Sequence, residues 1–495
     1  MKRMRIRLTA LLATLALLFL PLLPASAAST TKVLSTNFTV VNLSSATANV
    51  TAQYLKDNGT TWTTDPSLTS FTVPANGGQA IFRQYGITPL GVGRGSVVLT
   101  SDQPLGAIVQ IRAIEPSSQV PTEGAYSGFQ SGAGMFYVPL VARHLSTVSG
   151  TANSQVIIQD ISTSTASVYV QLRGTGLPSG SPVTYTFGPV SLPAGTSYYY
   201  DVEEETNVPG GSDTSWYGSA TIVATGGQVA VVSNFFTGAN TMQTYRGLSQ
   251  TATSWFVPLF TSRLANGLSS PISVQNVSSG TIPVGAVQLN CTASAGSPGP
   301  STLSVSNSSA FDDLTSYYFN PVTDTTNFPA GWFGACNLNS GSSNVVSYIQ
   351  LRFVGTDNAD AYEAIPGGET NNVAFAPLVA QKLANGFATA VTIVNLGGSS
   401  ANVTLDYTPN TACSGCSPYS WSTSIPAGQN LIQNQRLGGD MNGDSIRDLP
   451  DGWYGSLKVT CTNGQPIDGF VQLTNVLTAT GDTYQAHNMI TTSSP

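Results

Sequence analysis

Short runs in which apolar and polar residues alternate cover most of the chain after residue 28. Between residues 135 and 253 the runs are 154–161, 167–174, 185–192, 196–202, 217–225 and 229–237. They are rich in β-branched and aromatic residues, and clusters of Gly, Pro, Ser and Asn separate them, as expected for strands and turns. No stretch longer than a turn or two has helical periodicity. The pattern predicts an all-β protein.

Four landmarks recur along the chain in a fixed order, which indicates internal repeats. An opening segment with Pro-Leu occupies 136–140, 255–259 and 374–378. A polar turn then contains Asn42, Asp160, Asn276 or Asn395. A glycine follows at Gly95, Gly218, Gly334 or Gly455, preceded in three copies by Trp216, Trp332 or Trp453. A tyrosine closes each copy at Tyr126, Tyr245, Tyr362 or Tyr484.

These spacings predict four repeats, 28–134, 135–253, 254–372 and 373–495, called repeats 1 to 4 below. Six to eight strands in about 115 residues are typical of a β-sandwich. Repeat 1 lacks the opening segment, as terminal repeats often do. Four sandwiches in series, each with its own interior, predict a semi-rigid rod. The recurring Trp and Tyr residues are interpreted as core residues, with ligand stacking as the alternative.

The order of the motifs Phe-x-Pro-Leu-Val, Val-x-Asn-x-x-Ser, Pro-Ala-Gly and Trp-Tyr-Gly-Ser resembles that of poorly characterised repeat proteins secreted by filamentous bacteria. Those proteins are similar to bacterial immunoglobulin-like surface modules. The resemblance covers residues 30–490. It implies immunoglobulin-like sandwiches and an extracellular location, and it implies little about activity because the motifs are structural.

The N-terminus has the features of a secretory signal. Four basic residues come first, Lys2, Arg3, Arg5 and Arg7. An uncharged apolar run, 8–23, precedes the small-x-small sequence Ala25-Ser26-Ala27, so we expect cleavage before Ala28 and a secreted chain without a membrane span. Cleavage leaves 14 of the 18 basic residues against 25 acidic ones, a net charge of −11. Such a chain repels phosphate backbones, which excludes nucleic acid as a partner.

One acidic segment, 440–451, resembles the calcium loops of dockerin and EF-hand-like repeats. The residues at loop positions 1, 3, 5, 9 and 12 are Asp440, Asn442, Asp444, Asp448 and Asp451, and the carbonyl of Ile446 falls at position 7. The resemblance implies a structural Ca²⁺ site in repeat 4. Ser445 replaces the usual glycine, and Pro450 stands where a helix would follow. The alternative is a solvated acidic turn. Acidic clusters in repeats 2 and 3 match no loop template.

Five cysteines occur, all in repeats 3 and 4. Cys291 and Cys336 lie on predicted strands of one repeat, and an exported chain permits disulfides, so we expect them to pair. We expect Cys461 to pair with Cys413 or Cys416. The Cys-x-x-Cys spacing of the latter two is also found in redox and zinc motifs, but no βαβ pattern or second ligand pair accompanies it. A structural disulfide is therefore favoured.

The sequence offers little for catalysis. The two histidines are His144, on a predicted connector, and His487, near the C-terminus. No nucleophile elbow, His-Glu-x-x-His motif or phosphate loop is present. We therefore expect a non-enzymatic, structural or adhesive protein whose partners are cell-surface polysaccharides or other surface proteins.

Two other functions stay open. In a carbohydrate-binding array, sugars would stack on Tyr198, Tyr199, Tyr200, Tyr317 and Tyr318. A glycan-active enzyme would use an acid pair such as Asp312 and Asp313.

Overall fold

A computed structural model describes residues 34–113, 120–147, 149–175, 184–205, 208, 215–436, 448–477 and 480–492. In repeat 1 the strands β1 to β8 are Ser35–Asn42, Ala48–Lys56, Thr61–Thr63, Ser70–Val73, Gln79–Arg83, Gly95–Ser101, Leu105–Arg112 and Glu123–Ser127. In repeat 2 the strands β9 to β17 are Met135–Arg143, Leu145–Thr147, Gly150–Asp160, Ala166–Gly174, Thr184–Leu192, Ser197–Asp201, Trp216–Thr225, Val229–Thr237 and Thr241–Arg246.

The second half of the chain continues the same arrangement. In repeat 3 the strands β18 to β27 are Ser254–Thr261, Leu268–Ser269, Ile272–Asn276, Gln288–Ala293, Thr302–Ser306, Ser316–Phe319, Phe333–Asn339, Val345–Phe353, Ala359–Glu363 and Ile365–Pro366. In repeat 4 the strands β28 to β36 are Val373–Ala380, Phe387–Asn395, Ala401–Pro409, Tyr419–Ile425, Asn430–Asn434, Tyr454–Cys461, Ile467–Asn475, Tyr484–Asn488 and Ile490–Thr491. One helical turn, α1, spans Pro66–Thr69, and a 3-10 turn spans Thr88–Leu90.

Each repeat contributes two antiparallel sheets, which confirms the all-β prediction. The opening sheet contains the opening strand where there is one: β3-β2-β4 with β6 on β2, β13-β12-β15-β9, β22-β21-β24-β18-β27, and β31-β30-β33-β28-β36. The closing sheet contains the strand with the fourth landmark: β5-β1-β7-β8, β10-β11-β16-β17 with β14 on β11, β19-β25-β20-β23 with β26 on β25, and β32-β29-β34-β35. The two sheets of a repeat face each other across apolar side chains, as in a β-sandwich.

The polar turn ties the two sheets together. Asn395 ends β29 of the closing sheet and is fully buried. Its Nδ2 donates to the carbonyls of Ser399, at 2.8 Å, and Ile425 at the end of β31, at 2.9 Å. Asn42 and Asn276 make the same kind of bonds. A buried amide that replaces missing backbone partners explains why Asn or Asp recurs here.

The glycine landmark has a steric cause. A Cβ at Gly95, Gly218, Gly334 or Gly455 would collide with a carbonyl oxygen of the neighbouring strand. Glycine therefore permits the close approach of two strands of the opening sheet. The preceding Trp216, Trp332 and Trp453 are at most 3% exposed, so they belong to the core.

The four repeats close into a ring, and the predicted rod is wrong. The closing strands β8, β17, β26 and β35 lie around a common axis, each beside the next, and β35 also lies beside β8. Repeat 4 therefore contacts repeat 1: the Nε2 of Gln79 donates to the carbonyl of Pro377 at 2.6 Å. Every closing strand is an edge of its own sheet, and an edge needs partners for its free backbone groups. The alternation pattern of a single repeat does not reveal that need.

The interiors are also less separate than the sequence predicts. Repeats 1 and 4 each have a core cluster, but repeats 2 and 3 share one that also contains Phe470 of repeat 4. Tyr245 stacks on Tyr348 of the next repeat with ring centroids 4.1 Å apart. Tyr362 stacks on Phe470 in the same way at 4.0 Å. Aromatic side chains thus extend the core across two junctions.

The strand register shows that the closing tyrosine was assigned to the wrong residue in repeat 4. Tyr126 pairs with Val109, Tyr245 with Ser233, Tyr362 with Ile349 and His487 with Val471. These four partners hold equivalent positions, so His487, and not Tyr484, is the counterpart of the closing tyrosines. Tyr484 instead matches Glu123. His487 lies in the buried β35 and not on a loose C-terminal end.

Candidate functional site

Buried carboxylates lie on the axis of the ring. Asp360, in β26, is fully buried. It accepts hydrogen bonds from the backbone N–H groups of Ala125 at 3.0 Å, Thr244 at 2.8 Å and Ala486 at 2.6 Å. Each donor comes from the closing strand of a different repeat. One carboxylate therefore satisfies the free edges of three neighbouring strands.

Asp482 repeats this arrangement one layer further along the axis. It accepts the backbone N–H groups of Met242 at 3.0 Å, Ala359 at 3.2 Å and Tyr484 at 3.2 Å. Burial raises the pKa of both carboxyls well above the ordinary value, and the N–H donors oppose that shift because they favour the ionised form. The two carboxylates supply acceptors where neighbouring strands would otherwise supply carbonyls.

Glu363 forms the third layer. Its Oε1 accepts the backbone N–H of Arg246 at 2.8 Å, and its Oε2 lies 3.6 Å from the guanidinium of that residue. The Oδ1 of Asn488 accepts the N–H of Glu363 at 2.9 Å. The hydroxyl of Ser127 donates to the carbonyl of Asn488 at 2.9 Å. This layer links all four closing strands.

A series of hydrogen bonds and an ion pair between side chains joins repeat 4 to repeat 1. Gln485 donates through Nε2 to Glu123 at 2.6 Å and accepts from Gln110 at 2.5 Å. Arg112 forms an ion pair with Glu123 at 3.0 Å. Burial raises the pKa of Glu123, although the charge of Arg112 opposes the rise. Glu123 is therefore also committed to the contact between repeats.

A cavity of about 60 Å³ lies at the Glu363 end of the axis. It is lined by residues that follow the closing strands, among them 247–250 and 364–366, and by Arg246, Glu369 and Asp468. Burial, with the charge of Glu369, raises the pKa of Asp468 to about 8, so this carboxyl holds a proton at neutral pH. The cavity has room for roughly four water molecules.

The predicted calcium loop falls largely outside the described residues. Asp440, Asn442, Asp444 and Ile446 lie there, while Asp448 and Asp451 are described. The Oδ1 of Asp451 accepts a hydrogen bond from Gln381 at 3.4 Å. Within the described ranges, no three His, Cys, Asp or Glu side chains are grouped so as to hold a metal ion. The fit of the loop to Ca²⁺ therefore still rests on its sequence.

The cysteines pair in part as expected. Cys291 and Cys336 face each other across β21 and β24 and form a disulfide with an S–S distance of 2.00 Å. Cys413 and Cys416 bond to each other, and Cys461 is a buried thiol, so the pairing predicted for Cys461 is wrong. The Sγ of Cys413 lies near Tyr454, where β33 begins. Cys461 lies at the opposite end of that strand, roughly 23 Å away, which prevents contact.

Two of the candidate sugar-stacking tyrosines contact a neighbouring repeat. Tyr318 is partly buried, and its hydroxyl donates to the carbonyl of Pro139 in the previous repeat at 3.3 Å. Tyr199 lies under the guanidinium of Arg94, 4.0 Å from the ring centroid. Tyr200 is only 3% exposed. Asp313, from the suggested acid pair, pairs with Arg173 of repeat 2 at 2.8 Å. Tyr199, Tyr318 and Asp313 thus contact neighbouring repeats, while Tyr200 lies in the core of its own repeat.

Sequence reasoning missed the axis acids, although a signal was present. Asp360 interrupts an apolar strand pattern between Ala359 and Ala361, where a charge is unexpected unless it has buried partners. Asp482 follows Gly481 just before β35 and reads as an ordinary turn residue. Only the ring arrangement gives these two acids their donors.

Acidification should weaken the fold through His487. Burial lowers the pKa of this imidazole to about 4, whereas an unfolded histidine titrates near 6.5. Its contribution to stability is therefore present above pH 6.5 and is lost as the pH falls towards 4. Between pH 7.5 and 5 we expect the free energy of unfolding to fall by about 2 kcal/mol more in the native chain than in His487→Gln. Urea denaturation at both pH values measures this difference. His144→Gln, which changes a partly exposed histidine, is the control and should behave as the native chain; equal losses in the native chain and His487→Gln would refute the prediction.

No protein-family model matches the chain, and no curated protein is significantly similar to it. In the part of the chain that the structure describes, no helix is long and apolar enough to cross a membrane.

Proposed function

We propose that this chain is a non-catalytic structural or adhesive protein of the cell surface, exported by its N-terminal segment. One observation carries the proposal: four buried acidic groups of the ring, Asp360, Asp482, Glu363 and Glu123, are engaged in joining one repeat to the next. Asp360 and Asp482 accept backbone N–H groups of several repeats, and Glu123 binds Arg112 and Gln485. Groups held in this way stabilise an assembly and are not available to a substrate.

The ring also suits a surface role. Loops connect the strands of each sandwich, and such loops are the usual contact surfaces of β-sandwich proteins. Two disulfides agree with an oxidising environment. Cell-surface polysaccharides or other surface proteins are the proposed partners. The sugar-binding alternative has less support because Tyr199 and Tyr318 are partly buried and engaged in contacts with neighbouring repeats.

We also propose that the loop 440–451 binds Ca²⁺ in a structural role. Binding to the folded state alone stabilises it by mass action. Addition of 1–5 mM CaCl₂ should raise the melting temperature of the full chain, and Asp448→Asn should reduce that rise. An unchanged melting temperature in calcium would refute the site.

The surface role is tested in the cells that produce the protein. Antibody should label intact cells, and protease added outside should remove the label. Deletion of the gene should reduce attachment of the cells to surfaces and to one another, and restoration of the gene should reverse this loss. Confinement of the chain to the cytoplasmic fraction would refute the proposal.

A glycan array separates the adhesive and carbohydrate-binding functions. For direct sugar stacking we would expect defined glycans to be retained by the native chain and lost by Tyr199→Ala with an unchanged fold. On our proposal Tyr199→Ala leaves any glycan signal unchanged, while Tyr318→Ala lowers the melting temperature because it removes a contact between repeats. Loss of glycan binding in a folded Tyr199→Ala variant would favour the alternative.

A further inference from the structure

Among the described residues, the opening sheet of repeat 1 lacks one strand that the other three repeats have. In repeats 2, 3 and 4 the opening strands β9, β18 and β28 pair with β15, β24 and β33. The strand of repeat 1 that corresponds to these partners is β6. Among the described residues β6 pairs only with β2, on its other side. No other described strand lies beside its second edge.

Burial of the side chains marks the same vacancy. Ala220, Cys336 and Leu457 in the complete repeats are at most 4% exposed, and their counterpart Val97 is partly exposed. Ile222, Leu338 and Val459 are fully buried, and their counterpart Leu99 is partly exposed. Val98 is 38% exposed. The apolar surface of β6 is therefore uncovered where the other repeats place a strand.

The edge of β6 has none of the features that normally prevent pairing. Its sequence, Gly-Ser-Val-Val-Leu-Thr-Ser, contains no charge and no proline. Lysine, proline or inward-pointing charges usually protect the exposed edges of natural sheets. An uncharged, β-branched edge of this length is instead a template for an added strand.

The neighbouring repeat carries a side chain that such a strand would bind. At three junctions, a residue at one fixed position donates to the carbonyl of the proline in an opening strand. The bonds are Gln79 to Pro377 at 2.6 Å, Ser316 to Pro139 at 2.7 Å and Asn430 to Pro258 at 2.6 Å. Ser197 holds this position at the fourth junction, beside repeat 1. The acceptor for its hydroxyl would belong to the strand that β6 lacks.

We propose that β6 is a docking site for an extended strand of another polypeptide, with an apolar residue, Pro and Leu at its centre. The three complete repeats define this chemistry, because their opening strands read Tyr-Val-Pro-Leu-Val, Phe-Val-Pro-Leu-Phe and Phe-Ala-Pro-Leu-Val. They also define the register. In the three complete repeats, the residue before the proline lies opposite Ala220, Cys336 or Leu457. The residue before the proline of the docked strand therefore lies opposite Val97.

With the proposed cleavage before Ala28, the strand comes from outside the mature chain. The connector 381–386 separates β28 from β29. That connector has six residues, and cleavage before Ala28 leaves only seven residues, 28–34, ahead of β1, too few for a connector and an opening strand together. The proposal thus rests on the proposed export with cleavage, and it names the kind of partner that the surface protein would hold.

A peptide that copies β28 tests the site on the secreted chain. The probe is Val-Ala-Phe-Ala-Pro-Leu-Val-Ala-Gln, residues 373–381, and a scrambled peptide is the control. We expect binding at one peptide per chain, at least ten times tighter than that of the scrambled peptide. Hydrogen exchange should slow at amides of β6, while β7, already paired on both sides, should not change.

Cross-linking tests the register. Directly opposite residues of paired strands are close enough for a disulfide. The Ala376→Cys form of the peptide should therefore bond to the chain carrying Val97→Cys. The matched control is Val98→Cys, whose side chain points to the opposite face. We expect at least a tenfold higher yield with Val97→Cys.

Each other outcome overturns the proposal. Equal yields with both cysteines, or none, would mean that no strand adopts this register. Dimers of the Val97→Cys chain would assign the edge to a second copy. A chain that keeps residues 20–27 and excludes the peptide would fill the edge itself. A chain that lies on the cell surface but binds no peptide refutes the docking strand alone and leaves the surface role intact.

Discussion

Replacing Asp360 by alanine is expected to lower the free energy of unfolding by about 3–6 kcal/mol. The carboxylate accepts N–H groups from three repeats, and all of these donors are buried. A buried donor that loses its acceptor costs about 1–3 kcal/mol, so the three losses together are severe. Urea denaturation followed by circular dichroism measures the change.

Asp102→Ala is the control for this experiment. Asp102 is exposed and accepts a backbone N–H from Asn49 at 2.8 Å, within its own repeat. Its replacement should cost less than about 1 kcal/mol because water can take over the bond. Equal effects of the two substitutions would mean that Asp360 does not join the repeats.

The second large effect is expected at Tyr362. Its ring stacks on Phe470 of the next repeat, and its hydroxyl donates to the carbonyl of Leu259 at 2.6 Å. Tyr362→Ala should cost about 3–5 kcal/mol, in the range of large aromatic truncations in a core. Phe470→Ala, on the other side of the junction, should cost a similar amount.

A double-mutant cycle shows whether this stability is shared between repeats. The double variant Tyr362→Ala/Phe470→Ala should lose about 0.5–1.5 kcal/mol less than the sum of the single losses, since the stacked pair is removed only once. Tyr362→Ala combined with Phe38→Ala, in the core of repeat 1, is the control and should be additive. Additive losses in both cycles would indicate repeats that fold independently.

Local features of the fold follow from the sequence because their causes are local. Alternation of side chains between two faces predicts the strands, and the turn residue Asn395 has partners within its own repeat. The Cys291–Cys336 disulfide was predictable because both residues lie on strands of one repeat, which pair directly. The glycine landmark is visible in the sequence, but its steric cause appears only when two strands are side by side.

The arrangement of the repeats could not be predicted in this way. A rod and a ring have the same strand pattern, and they differ in what covers the free edge of each closing strand. Asp360 accepts hydrogen bonds from N–H groups of residues as distant in sequence as Ala125. His487 was missed as the counterpart of the closing tyrosines because Tyr484, three residues earlier, offered the same aromatic ring in the sequence. The buried carboxylates of the candidate site have their hydrogen-bond donors on distant repeats, so they could not be predicted from composition.

Small-angle X-ray scattering of the chain from Ala28 tests the closed ring most directly. Strands of about nine residues make each sandwich about 30 Å long, so four in series would have a radius of gyration of about 35 Å. A compact particle of this length has about 23 Å. The ring predicts a value near 23 Å with a single-peaked distance distribution. A value near 35 Å with a long tail would contradict it.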